Sequence, residues 1–123
     1  MKQANGEDMT AAQLVEYFTA IALAQDEAMR IDDNAAFKRL FFQMEAVEEE
    51  LKGRKGDQRR ALLRLLDHPN AQVRLKSAIA TLALAPEAAR QALQVISDRQ
   101  EYPQAADARG MMRAVDDGTF TPS

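Results

Sequence analysis

The chain holds one histidine, His68, directly after Asp67. An adjacent carboxylate and imidazole can serve as an acid/base pair, but such chemistry needs a nucleophile or a second partner held in geometry. Asp67-His68-Pro69-Asn70 lies between two apolar helical patterns. The pair therefore reads as a helix–helix turn, with Asp67 capping and His68 solvated. Glu45, Glu48 and Glu49 recur at i, i+3 and i+4, which places three carboxylates on one helix face. Helical di-metal sites add a Glu-x-x-His element, and His68 has no such context. A solvated acidic face, with Glu48–Lys52 and Glu50–Arg54 as i,i+4 pairs, is the expectation. Gly53 and Gly56 in LKGRKGD lack the Gly-Lys-Ser/Thr of a phosphate loop and follow no strand, so they read as helix termination. The sequence has no cysteine, which excludes disulfides, thiolate metal sites and cysteine nucleophiles. Catalytic, metal-ligating and cofactor-binding residues are accordingly all assigned as none, and the chain reads as non-enzymatic.

The richest constellation is basic. Lys52, Arg54, Lys55, Arg59, Arg60 and Arg64 fall within 13 residues, with Asp57 the one acid among them, and Arg74 and Lys76 follow. Residues 1–50 carry eleven acids and four bases (net −7), residues 51–80 eight bases and two acids (net +6), and residues 81–123 net −2. A basic stretch of this kind can hold phosphates. No aromatic lies between residues 43 and 101, so bases would find no stacking platform, and the acidic first part repels a polyanion. The eight cations of residues 52–76 are therefore the candidate interaction surface for a protein partner with an acidic patch. Nucleic-acid-backbone binding through the same stretch is an alternative. Arg59, Arg60 and Arg64 stand at i, i+1 and i+5, so at least two should face solvent together.

These side chains must be positioned by helices. At 123 residues with 46% hydrophobic and 28% charged residues, one globular domain is expected. Residues 1–8 read as a polar tail, 9–118 as the domain and 119–123 as a C-terminal tail. MKQANGEDM has no apolar core and so is no signal peptide. No apolar run approaches the ~20 residues that span a bilayer, and a cytoplasmic location is expected. Thr10 is a candidate N-cap for a helix over about 10–30. Phe37, Leu40, Phe41, Met44, Val47 and Leu51 form one apolar stripe on a second helix, capped from within Asp32-Asp33-Asn34. A shorter helix covers 58–67 and another 71–85, the latter apolar on two faces. Pro86 and Pro103 open two more, over 86–100 and 103–118. No segment alternates with period 2, so no sheet is expected. Met29, Met44, Met111 and Met112 fall at core positions. Gly110 inside the last helix costs roughly 0.5–1 kcal/mol against Ala, so it implies close approach of another helix.

Two segments, HPNAQVRLKSA (68–78) and YPQAADARGMM (102–112), share a pattern. Pro69 and Pro103 are 34 residues apart, and Val73-Arg74 and Ala108-Arg109 are 35 apart. A period in the mid-thirties with one helical hairpin per repeat marks an α-solenoid. The segment LLRLLDHPNAQVRLKSAIATLAL resembles a HEAT repeat in its leucine-rich first helix, its Asp67/Pro69/Asn70 turn and the Val73-Arg74 opening of the next helix. One good repeat covers 58–85 and a degenerate one 86–117. ELKGRKGDQRRALLRLLDHPNAQVRLKSA and YPQAADARGMMRAVDDG also resemble a family of small bacterial proteins described as a domain of unknown function with a HEAT/armadillo-like fold. The resemblance implies an all-α, right-handed superhelix of about six helices in which Arg74 contacts the neighbouring repeat. It implies the fold strongly and the function hardly at all, and brings no catalytic residues. Stacked helix pairs that offer a groove, in a chain whose composition offers no chemistry, make a protein-interaction module the expectation, with a toxin-immunity-like inhibitor as one version.

Overall fold

The computed structural model describes residues 6–123, and the expected polar tail at 1–5 lies outside them. Among the described residues the chain is wholly helical, with turns between helices and no strand. Two 3-10 segments, Gly6–Asp8 and Gln58–Leu65, accompany five α-helices: α1 (Ala11–Arg30), α2 (Asn34–Gly53), α3 (Ala71–Thr81), α4 (Pro86–Asp98) and α5 (Gln104–Asp116). All six helices expected over 10–118 are present, one of them as 3-10 rather than α. Among the described residues no helix is long and apolar enough to cross a membrane. The chain divides into two compact units, the first ending at Ala61 and the second being Leu62–Ser123.

In the first unit the helix ends follow from local chemistry. Thr10 forms a reciprocal capping box. Its Oγ1 accepts the Gln13 N–H at 3.0 Å, and Gln13 Oε1 accepts the Thr10 N–H at 2.8 Å. Each bond satisfies a donor that the first turn would otherwise leave unmet. Asp32 takes a left-handed φ of 56° after α1, and Asp33 caps α2 by accepting the Ala36 N–H at 3.0 Å. Leu14, Val15, Phe18, Ile21, Ala22 and Ala28 of α1 are buried, as are Met44, Val47 and Leu51 of α2. The α2 stripe is narrower than its sequence implies. Phe37 and Leu40 are half-buried, while Phe41 remains 43% exposed. At 100° per residue Phe41 lies roughly 90° from the mean direction of Met44, Val47 and Leu51. It sits at the edge of the buried arc and packs edge-to-face on Phe42, ring centroids 5.6 Å apart.

The second 3-10 segment has eight residues, long for its class. Its sequence suits a threefold repeat, because residues three apart eclipse. Arg59, Leu62 and Leu65 form one stripe and are all buried, whereas Arg60 and Arg64 lie on the other two and are exposed.

The second unit has one apolar core: Leu75, Ala78 and Leu82 of the α3 region, Ala89, Leu93 and Ile96 of α4, and Ala105, Ala108 and Met112 of α5. Leu66, Met111 and Val115 pack against it. Asn70 caps α3 by accepting the Gln72 and Val73 N–H groups at 2.8 and 3.1 Å. Both faces of α3 are covered, as expected. Val73, Leu75, Ser77, Ala78, Ala80 and Thr81 are all buried. The two hydroxyls are satisfied within the helix, Ser77 donating to the Val73 carbonyl and Thr81 to the Ser77 carbonyl, each at 2.8 Å. Gln72 and Gln104 meet in the interior, amide to amide at 3.0 Å. Gly118, at φ 79°, ends α5 as a left-handed residue. The C-terminal tail is pinned at its start, the Phe120 N–H donating to the Ala114 carbonyl at 3.0 Å. Of the four methionines expected in the core, Met44 and Met112 are buried and Met29 and Met111 half-buried.

Gly110 corrects its expectation. It is exposed, and a Cβ built on it would meet nothing within 4 Å. No helix approaches there, so the glycine carries only its entropic cost. Gly110→Ala is expected to raise stability by about 0.5–1 kcal/mol, read from the denaturant midpoint. A lower midpoint would restore the close-packing reading.

Candidate functional site

The eight cations singled out from the sequence divide into two groups. Arg54, Arg59 and Arg74 are spent on the protein itself. Arg54 donates to Glu50 at 2.8 Å and to the Gly6 and Met9 carbonyls at 2.9 and 2.7 Å, fastening the chain ahead of α1 to the end of α2. Arg59 is only 8% exposed and grips Asp57 with a two-pronged pair at 2.8 and 2.6 Å. The Arg59 backbone N–H donates to the same carboxylate. Those bonds hold the Asp57 carboxyl below its usual range, with burial opposing. Arg59 therefore cannot serve as a surface cation. Arg60 and Arg64 are both exposed, but they lie on different stripes of the 3-10 segment rather than side by side. Lys52, Lys55, Arg60 and Arg64 are exposed, and Lys76 is half-buried.

This division has a measurable consequence. Arg59→Ala is expected to cost about 1–3 kcal/mol, because it strands a partly buried carboxylate. Arg60→Ala should stay within about half a kcal/mol of the parent, as exposed substitutions do. Equal denaturant midpoints for the two variants would contradict the assignment.

Arg74 is buried at the start of α3. Its Nε donates to the His68 carbonyl at 2.7 Å, and its two terminal nitrogens clasp Glu101 at 2.7 and 2.6 Å. Nη2 also reaches the Pro69 carbonyl at 3.3 Å. The guanidinium thus ties the turn before α3 to the turn before α5. Arg109, its counterpart 35 residues on, reaches back instead. It donates to the Ser97 hydroxyl at 2.8 Å and the Ser97 carbonyl at 3.0 Å, and it also meets Tyr102. His68 is engaged as well, its Nδ1 accepting the Asn70 N–H at 3.0 Å. The imidazole therefore buttresses the turn rather than standing beside Asp67 as an acid/base pair. Glu45 and Glu49 are exposed, and no three His, Cys, Asp or Glu side chains among the described residues converge to hold a metal.

Within the second unit these elements leave a groove of about 700 Å³, a size within the usual range for binding sites. One wall is the segment Leu63, Arg64, Leu66, Asp67, His68 and Pro69, with Arg74 behind it; the other is the outer face of α4, Ala88, Gln91, Ala92, Val95 and Arg99. The apolar part of the lining is Leu63, Leu66, Ala88, Ala92 and Val95. Arg64 and Arg99, both exposed, supply positive charge on opposite walls, while Arg74 is neutralised by Glu101. Of the eight predicted cations, the groove takes only Arg64 and Arg74.

Sequence reading missed the α4 wall. The inward stripe of α4, Ala89, Leu93 and Ile96, is the strongly apolar one and is buried. The second stripe at 88, 91, 92, 95 and 99 repeats at 3, 4, 7 and 11. It was legible as a further face of the same helix, but its alanines carry a weak apolar signal.

A crystal structure of the protein RPA1889 from Rhodopseudomonas palustris CGA009 is similar to this chain at 43% identity. It covers 98% of this chain and 100% of its own, with a TM-score of 0.95. No curated protein matches the sequence. The family model described as Domain of unknown function (DUF2019) matches residues 12–116, nearly the whole helical region, and the chain belongs to that family.

Proposed function

We propose that this protein is a non-enzymatic, cytoplasmic protein-interaction module, a single HEAT/armadillo-like right-handed solenoid over residues 9–118. The repeat reading is supported by Arg74, which opens α3 and clasps Glu101 in the turn before α5, as the arginine of a HEAT repeat contacts the next repeat. The interaction reading rests on one observation. The 700 Å³ groove combines the apolar lining residues Leu63, Leu66, Ala88, Ala92 and Val95 with two exposed arginines, Arg64 and Arg99, which form no ion pair among the described residues. Such a surface complements an acidic, partly apolar protein segment, and its charges would govern association rate and partner choice. A toxin-immunity-like inhibitor would use the same groove. Nucleic-acid binding through residues 52–76 is weakened as an alternative, since Arg54, Arg59 and Arg74 already have intramolecular acceptors. Affinity capture from the source cells tests the reading. A protein held by the parent and lost with Arg64→Glu/Arg99→Glu is expected. Capture indifferent to those changes overturns it.

A further inference from the structure

We infer that the occupant of this groove is an amphipathic acidic α-helix of about three turns. The inference rests on the interaction reading above and names the partner's chemistry. Its first support is dimensional. The α4 wall runs from Ala88 to Arg99, and eleven residues at 1.5 Å each give roughly 17 Å, the length of three helical turns. The groove therefore runs along a helix rather than closing around a compact ligand. Its second support is the make-up of the α4 wall. Ala88 and Ala92 are one turn apart on α4, and small side chains at that spacing let a second helix axis come close. Leu63, Leu66 and Val95 then flank the seam, ready for apolar side chains at i, i+3 or i+4, and i+7.

The other recurring modes of peptide recognition fail here on particular observations. Strand addition needs a sheet edge, and no strand exists among the described residues. Polyproline docking needs a groove walled by large aromatic side chains, and no Phe, Tyr or Trp is among the lining residues. Phosphate capture draws on a cluster of available arginines, but Arg74 is committed to Glu101 and two carbonyls. That leaves Arg64 and Arg99 on opposite walls, an arrangement that suits carboxylates on both flanks of a helix rather than one polyanionic group. The single acid lining the groove, Asp67, is exposed beside His68.

The test uses the full chain and two fluorescent 16-residue peptides. One carries leucines at i, i+4, i+7 and i+11 with glutamates on both flanks; the other has the same composition in scrambled order. Fluorescence anisotropy should show saturable binding of the helical peptide. Arg64→Glu/Arg99→Glu should weaken it roughly tenfold or more, two rim ion pairs having become repulsive contacts. Ala88→Trp, which keeps the charge but fills the groove at an exposed position, should weaken it comparably. Circular dichroism of the variants verifies that the fold is kept. Equal affinity for the scrambled peptide overturns the helical occupant, as does binding unaffected by Ala88→Trp. Displacement by short DNA as effective as by unlabelled peptide also overturns it. A dimer in light scattering that dissociates on Ala88→Trp assigns the groove to a second copy and likewise overturns it. If the peptides fail while the cellular partner is still lost with Arg64→Glu/Arg99→Glu, the helical occupant falls and the interaction reading stands. If that partner is retained, the interaction reading falls as well.

Discussion

Arg74→Ala is expected to lower the unfolding free energy by about 2–4 kcal/mol. The side chain is only 9% exposed, while Glu101 retains 26%. Truncation leaves Glu101 and the His68 and Pro69 carbonyls without this donor. Charge-assisted bonds contribute about 1.5–3 kcal/mol each and are not additive. Partial hydration of Glu101 keeps the loss below that for a fully buried pair. Arg74→Lys should recover only part of it, since an ammonium cannot match the two-pronged geometry. The pair also makes stability depend on pH. Hydrogen bonds from Arg74 hold the Glu101 carboxyl below its ordinary value of 4.5, against the opposing effect of burial. A carboxylate with a lowered folded-state pKa stabilises the fold above its unfolded value, and that contribution is lost as pH falls through the folded one. Below about pH 4.5 the parent should therefore lose stability more steeply than Arg74→Ala. Chemical denaturation at neutral pH and along an acid series checks both points, and coincident curves would refute the role given to Arg74.

Phe18→Ala should have the largest effect in the first unit, about 3–5 kcal/mol. Phe18 is fully buried on α1, and Leu14 one turn before and Ile21 one turn after are buried with it. A 20-residue helix cannot rearrange to fill the space of a phenyl ring, because its neighbours in the core sit on the same rigid backbone. Phe18→Leu should cost clearly less, most of the volume being kept. Near-ultraviolet and far-ultraviolet dichroism during denaturation report the loss. A Phe18→Ala variant within about 1 kcal/mol of the parent would show that this core is loosely packed.

The two predictions differ in how far they could be read from the residues alone. Phe18 lies on the expected α1 stripe, and its burial follows from spacing. A structural role for Arg74 came from the HEAT resemblance, in which it contacts the neighbouring repeat, while its charge alone placed it with the candidate surface cations. Its partner Glu101, 27 residues away, carried no local mark. The same contrast runs through the basic stretch. Arg59 and Arg60 are neighbours of identical type, yet one is clamped on Asp57 and buried while the other is exposed. The 3-10 winding of Gln58–Leu65 places Arg59 in register with Leu62 and Leu65, and the clamp on Asp57 fixes it there. At roughly 100° per residue an α-helical reading also separates them, Arg59 lying roughly 40° and Arg60 roughly 140° from the mean direction of Leu62, Leu63, Leu65 and Leu66.

Helix ends and helix faces were readable because they are set by neighbours three and four residues apart. Thr10, Asp33 and Asn70 cap through their own short side chains, Pro86 opens α4 with its fixed φ, and the apolar periodicity of α1, α3 and α4 points to the sides that are buried. The turn at Gly56, with φ 82°, and the end of α5 at Gly118 belong to the same local class. The groove does not. It exists because α4 stands beside the Leu63–Pro69 segment, and neither wall alone is concave or charged enough to suggest a site. Which arginines remain free to meet a partner was likewise decided in part by the tertiary structure. Glu50–Arg54 and Asp57–Arg59 pair between close neighbours in the chain, as local spacing allows, whereas Arg74–Glu101 pairs across 27 residues, a contact that only folding creates.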